Sequence, residues 1–347
     1  MRRWLAHLRL ARRRQRAADH DPPPRVAVFA PSPLLTVTIE RGSDRPEVHL
    51  HAGGQGVWVA RLAATLGADV VLCCALGGEP GSVLRGLIKT ERVTLRAADA
   101  RTSNGVYVHD RRHGERVEIV QVNSRALTRH ASDELYGIAL GAGLDANVTL
   151  VTGCQPRTVV DAELYRRLIG DLRTNGKLVI ADLTGPPLRA ALRAGVDLLR
   201  LSDEELLEER YVNATTVSDL LNAARFIHAA GARNVFVSRA AEPALLIGER
   251  RHPDGCELAG PRFEACDSRG AGDSMFAAIG VGLARGKDML DALKLGMAAG
   301  ALNVTRHGLG TGTRREIERL AAHVTVRPLD GAGADPPQAA VSSSNRS

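Results

Sequence analysis

What most constrains the fold of this chain is a rhythm. Short runs rich in Val, Leu, Ile and Phe recur along it, with helical stretches between them. Arg25–Ala30, Val70–Ala75, Val148–Thr152, Lys177–Ala181, Val196–Arg200 and Asn234–Ser238 read as strands. Helical patterns fall at Val57–Leu66 and at residues 161–174, 186–194 and 203–230, and three more close the chain at 273–285, 288–305 and about 313–322. An alternating β–α order predicts an α/β fold of three layers, α/β/α, around a mainly parallel sheet. Two regions break the rhythm. Leu34–Leu50 and Gly105–Val122 alternate with period 2, and Arg111-Arg-His-Gly114 is a turn signal in the second. They predict hairpins outside the main sheet, a small β flap built from about 34–51 and 102–122.

The ends differ from this body. Residues 1–20 hold seven arginines against Asp19 alone, so most of the formal net charge of +7 sits there. Pro22-Pro-Pro24 stops any helix before the first strand. Residues 1–24 are therefore expected to be a basic arm, 25–327 the folded domain, and 328–347, rich in Gly, Pro and Ser, a tail. If the arm is helical, Trp4, Leu5 and Leu8 share a face that could lie on an anionic membrane; the shortness of that face favours a solvated extension. The body is near neutral and aromatic residues make up 3% of the chain, which argues against nucleic-acid binding by base stacking. No run approaches the ~20 apolar residues of a membrane span. Five cysteines without paired spacing are expected to be free thiols in the cytoplasm.

Two glycine loops carry the chemistry. Gly270-Ala271-Gly272-Asp273-Ser274 follows a short β segment, Arg262–Cys266, and opens the apolar helix Met275–Leu283. Small residues let backbone approach a ligand, and a helix starting there directs free N–H groups at negative charge. Asp273 has two readings on spacing alone: a base that takes a proton from a hydroxyl, or a first-turn acid favoured by the helix dipole. The second loop, His51-Ala-Gly53-Gly54-Gln55-Gly56, also runs into a helix and fits a small polar ligand or a plain glycine turn. There is no GxxxxGK[ST], no GxGxxG after the first strand, and no HExxH or paired Cys/His spacing.

In their order and separation the two loops resemble the ribokinase-like (PfkB) carbohydrate kinases, over roughly residues 25–325. Asp267-Ser-Arg-Gly270-Ala-Gly-Asp273-Ser is similar to the family's C-terminal signature, and Gly53-Gly54-Gln55-Gly56 to the sugar loop of its 1-phosphofructokinase and tagatose-6-phosphate kinase branch. The resemblance implies transfer of the ATP γ-phosphoryl group, with Mg²⁺, to a hydroxyl of a sugar or sugar phosphate. Asp273 would be the base, and Gly270, Ala271 and Gly272 the anion hole. It places Thr36, Gly53, Gly54, Gln55, Trp58 and Asn104 on the acceptor, and Arg200, Ser238 and Asn303 on the nucleotide. Glu205 falls near the metal, through water, and the family's flap offers homodimer contacts.

The chain departs from the pattern mostly on the acceptor side. The Asp after the first strand is Thr36, the Lys of the sugar loop is Gln55, the following Asn is Trp58, and the Arg of the flap's Thr-Arg-x-Asn is Ser103. Two charge-assisted phosphate contacts are thereby absent, which favours an unphosphorylated sugar, polyol or nucleoside, whereas the nearest branch favours a phosphorylated hexose. A catalytically weak binding or regulatory protein is the alternative. Trp58 offers a stacking wall or ordinary helix packing. Nearer the nucleotide, Ser202-Asp-Glu-Glu205 keeps the Glu of an Asn-x-x-Glu pattern, and Pro243 replaces a glycine in a turn.

Overall fold

The computed structural model describes residues 22–89, 92–305 and 312–329. Along the chain the strands are β1 Arg25–Phe29, β2 Leu34–Arg41, β3 Pro46–Gly53, β4 Asp69–Leu76, β5 Thr94–Asp99, β6 Gly105–Asp110, β7 Val117–Val122, β8 Val148–Thr152, β9 Leu178–Asp182, β10 Leu198–Ser202, β11 Val235–Arg239, β12 Glu242–Ile247, β13 Cys256–Ala259 and β14 Thr325–Pro328. The helices are α1 Gln55–Thr65, α2 Gly78–Lys89, α3 Arg129–Asp145, α4 Ala162–Thr174, α5 Gly185–Ala194, α6 Asp203–Glu208, α7 Val217–Ala229, α8 Ala271–Ala284, α9 Met289–Asn303 and α10 Arg314–Ala321.

Ten strands form the main sheet in the order β14-β13-β12-β11-β10-β9-β8-β1-β4-β5. From β5 to β11 every pairing is parallel; β12, β13 and β14 close the other edge antiparallel. β1 shows why the parallel part reads as solid apolar runs. Val26 and Val28 enter the core under α1, α8 and α9, while Ala27 and Phe29 enter the core under α3, α4 and α5. Both faces of the sheet are covered, as the three-layer expectation requires.

Some boundaries differ from expectation. The stretch 203–230 is two helices, because Arg210 takes a left-handed backbone (φ 61°) and Thr216 caps a new start at α7. Arg262–Cys266 is irregular and exposed, with no strand beside it. The folded body extends past 327, since Pro328 pairs with Cys256 and the Leu329 N–H donates to Gly255. The strands β5 and β12–β14 and the helices α2 and α3 add to the elements expected. The basic arm's residues 1–21 and most of the tail lie outside the described residues.

The hairpins β2–β3 and β6–β7 form a separate four-stranded sheet, β3-β2-β6-β7, joined through parallel β2 and β6. Its register sorts side chains by chemistry. Thr36, Thr38, His49, His51, Tyr107, His109 and Gln121 share one face. Val37, Ile39, Val48, Leu50, Val108, Val120 and Val122 share the other. The polar face includes a cavity residue; the apolar face ends in solvent, where Val48 is 63% and Val122 53% exposed.

Candidate active site

In an open parallel sheet, ligands gather beyond the carboxyl ends of the strands. Here Ala30 and Ser32 follow β1, Gly153 and Cys154 follow β8, and Asp182 ends β9. Together with Gly54, Gln55, Gln121, Glu205 and Asp273 they line a cavity of about 320 Å³. Core strands supply its floor and the flap one wall.

The chemistry lies at the start of α8. Gly270 precedes the helix with a left-handed backbone (φ 71°, ψ 4°), which glycine adopts without strain, and no side chain caps the terminus. The first-turn N–H groups lack helical partners. That of Ala271 leans on the Ser268 carbonyl at 3.4 Å, so Gly272 and Asp273 carry the open donors. A Cβ at Gly272 would come within 2.8 Å of the Arg200 guanidinium, so the missing side chain lets Arg200 press against the helix.

Arg200 is 8% exposed and organises the acids around it. Its Nη1 donates to Asp182 at 3.3 Å and to Glu205 at 3.5 Å, and its Nη2 to Ser238 Oγ at 2.8 Å. Burial, then the charge of Asp182, pushes the Asp273 carboxyl up to about 7, with Arg200 pulling the other way and Glu205 adding to the rise. Asp182 is also raised, by burial foremost, and is held down by Arg200. A carboxyl with proton affinity near neutral pH is suited to exchanging a proton with a bound hydroxyl.

The structure divides the residues expected to act. Gly54, Gln55, Glu205 and Asp273 reach the cavity. Gln55 accepts from the Gly153 N–H at 3.2 Å and donates to Asp182, so it ties the sugar loop to two strand ends. Glu205 is fixed by a capping box: its Oε2 accepts from the Ser202 N–H at 2.7 Å while Ser202 Oγ accepts from the Glu205 N–H.

Other expected residues stand elsewhere. Asn104 is 3% exposed and spends its amide on backbone, accepting from Gly77 and donating to Pro33 and Ala75, so it pins the loop entering the flap instead of facing an acceptor. Trp58 lies off the cavity wall and carries the Arg61 guanidinium 4.3 Å above its ring. Thr36 and Gly53 pack on each other, also away from the wall. Ser238 supports Arg200. Asn303, fully buried, accepts from Ser274 Oγ and donates to the Arg269 carbonyl, clamping the glycine loop from α9. Residues 306–311, which follow the end of α9 near Asn303, lie outside the described residues.

Sequence reasoning missed Asp182, which stands one residue beyond the strand it expected; an acid ending a buried apolar run was the available signal. It also missed Arg157, the one cationic side chain on the cavity wall among the described residues, paired to Glu209 at 2.6 Å.

Comparisons with known proteins give the family and the fold. Residues 36–315 match the model of the pfkB family carbohydrate kinases. The chain is 30% identical over 322 residues to an ATP-dependent 6-phosphofructokinase isozyme 2 of Mycobacterium tuberculosis, covering 89% of this chain and 93% of that one. To a 1-phosphofructokinase of Vibrio cholerae it is 25% identical, over 81% and 87%. Among solved structures, phosphofructokinase-2 of Escherichia coli in complex with fructose-6-phosphate superposes with a TM-score of 0.72 at 24% identity, over 86% of this chain and 98% of that one.

Proposed function

The chain belongs to the pfkB family of carbohydrate kinases, and on that premise we propose that it moves the γ-phosphoryl group of ATP to a hydroxyl of a hexose phosphate, with Asp273 as base. The observation that carries this is the convergence, on one cavity, of an uncapped helix terminus and a buried carboxyl with its proton affinity near neutrality.

The acceptor hydroxyl lies against Asp273 and yields its proton to that carboxylate as its oxygen bonds to the γ-phosphorus. The bond between that phosphorus and the bridging oxygen breaks, and ADP leaves. The Gly272 and Asp273 N–H groups face the charge on the transferred group, backed by the helix dipole. Arg200 keeps Asp182 and Glu205 in place and tempers their repulsion of Asp273. The flap's polar face covers the acceptor and excludes water, which would otherwise compete for the phosphoryl group.

Among the described residues there is no cluster of three or more side chains able to cage a metal. Two carboxylates on one wall, Asp182 and Glu205, do suit Mg²⁺, which takes one or two protein carboxylates and completes its shell with phosphate oxygens and water. When bound it neutralises polyphosphate charge.

The names of the relatives support a phosphorylated hexose as acceptor. A neutral Gln55 where a Lys is expected, engaged with Gly153 and Asp182, favours a second reading, an unphosphorylated sugar. The solvent-facing apolar side chains Val48, Leu50, Val120 and Val122 on one sheet face support a homodimer through the flap. No described helix is long and apolar enough to cross a membrane, and all five cysteines are free, which fits a cytoplasmic enzyme. Coupled detection of ADP over a panel of fructose 6-phosphate, fructose 1-phosphate, fructose and nucleosides tests the function. Turnover on a hexose phosphate is expected; turnover only on an unphosphorylated acceptor supports the second reading, and none on any acceptor contradicts both.

A further inference from the structure

Further along the flap's polar face, beyond Gln121, lies a group of cations that the reaction above does not use. His109 on β6 is 1% exposed; its Nε2 sits 3.2 Å from Thr38 Oγ1 while its Nδ1 is buried with no hydrogen-bond partner. Arg116, just before β7, is half-buried, and its Nε is likewise buried and unpartnered. Arg111 follows β6, and Arg269 comes from the other side of the site, directly before Gly270. Burial foremost, then the charges of Arg116, Arg111 and Arg269 in that order, hold the His109 imidazole well below its ordinary range. Burial and Arg269 weaken the hold of Arg116 on its proton. Two carboxylates face the group: Glu40, 3.8 Å from Arg111, and Asp267, near Arg116.

Three guanidiniums thus share two carboxylates, and a buried donor is left unmade. Buried polar groups in folded proteins are paired with few exceptions, and each exception calls for an explanation such as a ligand. The group joins the flap to the loop that opens α8, so a ligand here contacts both of these elements at once. Arginine forks match the oxygens of a phosphate, and a neutral imidazole beneath them adds no competing charge.

We propose that the seam between the flap and the loop before α8 binds a phosphate group, held by Arg111, Arg116 and Arg269 over His109. Such a site returns the positive charge absent at Gln55 and Ser103, from different positions. The phosphate belongs either to the acceptor or to the nucleotide; that assignment rests on the kinase reading, whereas phosphate binding itself does not.

The test uses the full chain and two separate variants, Arg116→Gln and Arg269→Gln; the second lies at an exposed position and guards against misfolding of the first. Isothermal calorimetry with inorganic phosphate is expected to show binding to wild type that each variant weakens about tenfold or more, the scale of a lost charge-assisted contact. In steady-state turnover each variant raises one KM by a similar factor, with kcat within about twofold. A shift for the sugar phosphate assigns the site to the acceptor, and a shift for ATP assigns it to the nucleotide. Arg112→Ala, on the same turn but already bidentate to Asp110, leaves both unchanged. Phosphate affinity and stoichiometry equal to wild type in both variants would overturn the proposal, even if the chain is an active kinase. Weakened phosphate binding in a chain with no turnover would support the site and contradict the kinase reading.

Discussion

The two walls of the cavity are built by different means. The wall that holds Asp182, Glu205 and Asp273 stands on strand ends and helix starts whose other sides are core: Arg200 behind the acids, Asn303 behind the glycine loop, Gly272 where a side chain would collide. The flap wall is a thin sheet with one polar face and one apolar face; Leu35 and Val37 of the apolar face pack on the core, while Val48, Leu50, Val120 and Val122 stand open to solvent. A buried wall tolerates few residues at each position, because each volume and each hydrogen bond is shared with neighbours. A two-faced sheet tolerates many, since only the alternation has to be kept. That is why the signature Gly270–Asp273 is easy to read, while Thr36, on the flap's β2, departs from pattern without disturbing the fold.

The contrast can be broken most sharply at Asp273. Asp273→Asn is expected to lower kcat about a thousandfold, the range of a positioned base, with little change in nucleotide binding by calorimetry. The same substitution carries a stability signature. A carboxyl raised to about 7 in the fold, against 3.8 unfolded, binds its proton more tightly when native, so stability falls as pH rises between those values. The asparagine variant is therefore expected to melt above wild type at pH 8, with the difference closing near pH 4. Gly272→Val comes next: its side chain must displace Arg200, and turnover should drop about a hundredfold while the chain still folds, as circular dichroism would show.

On the flap the effects are smaller. Aspartates at Val48 and Leu50 break the apolar face; sedimentation velocity should show dimer becoming monomer, with KM for the acceptor raised about tenfold. Asn104→Ala is expected to cost about 1–3 kcal/mol of stability by leaving buried backbone groups unpaired, read as a lower melting temperature, with kcat/KM within about threefold. A large acceptor KM effect in that variant at full stability would return Asn104 to the acceptor.

The same division explains what was legible in the sequence. Strands buried on both faces announce themselves as apolar runs, and β8 is read without error. Edge and antiparallel elements do not: β13 has four residues, β12 contains Pro243, and α3 carries three glycines that dilute its helical pattern. The break in 203–230 turns on a single left-handed residue, Arg210, a conformation that no local preference of arginine foretells. Asp273 was visible because its loop has a fixed spacing. Asp182 was missed because its role comes from sheet order: β9 lies between parallel neighbours β8 and β10 although α4 and α5 separate them in sequence, and those pairings bring Asp182 near Gln55 on one side and Arg200 on the other. Arg111 and Arg116 share one connection of the flap, but Arg269 lies far along the chain and comes near them only across the seam.

The claim that a buried Asp273 acts as base at an open helix terminus is tested most directly by the pH profile of kcat/KM for the acceptor in wild-type enzyme. A base must be ionised to accept a proton, so the rate is expected to be low at pH 5.5, to rise through a single ionisation near 7, and to level off by pH 8.5. A rate that is already full at pH 5.5 and flat above it would contradict the account.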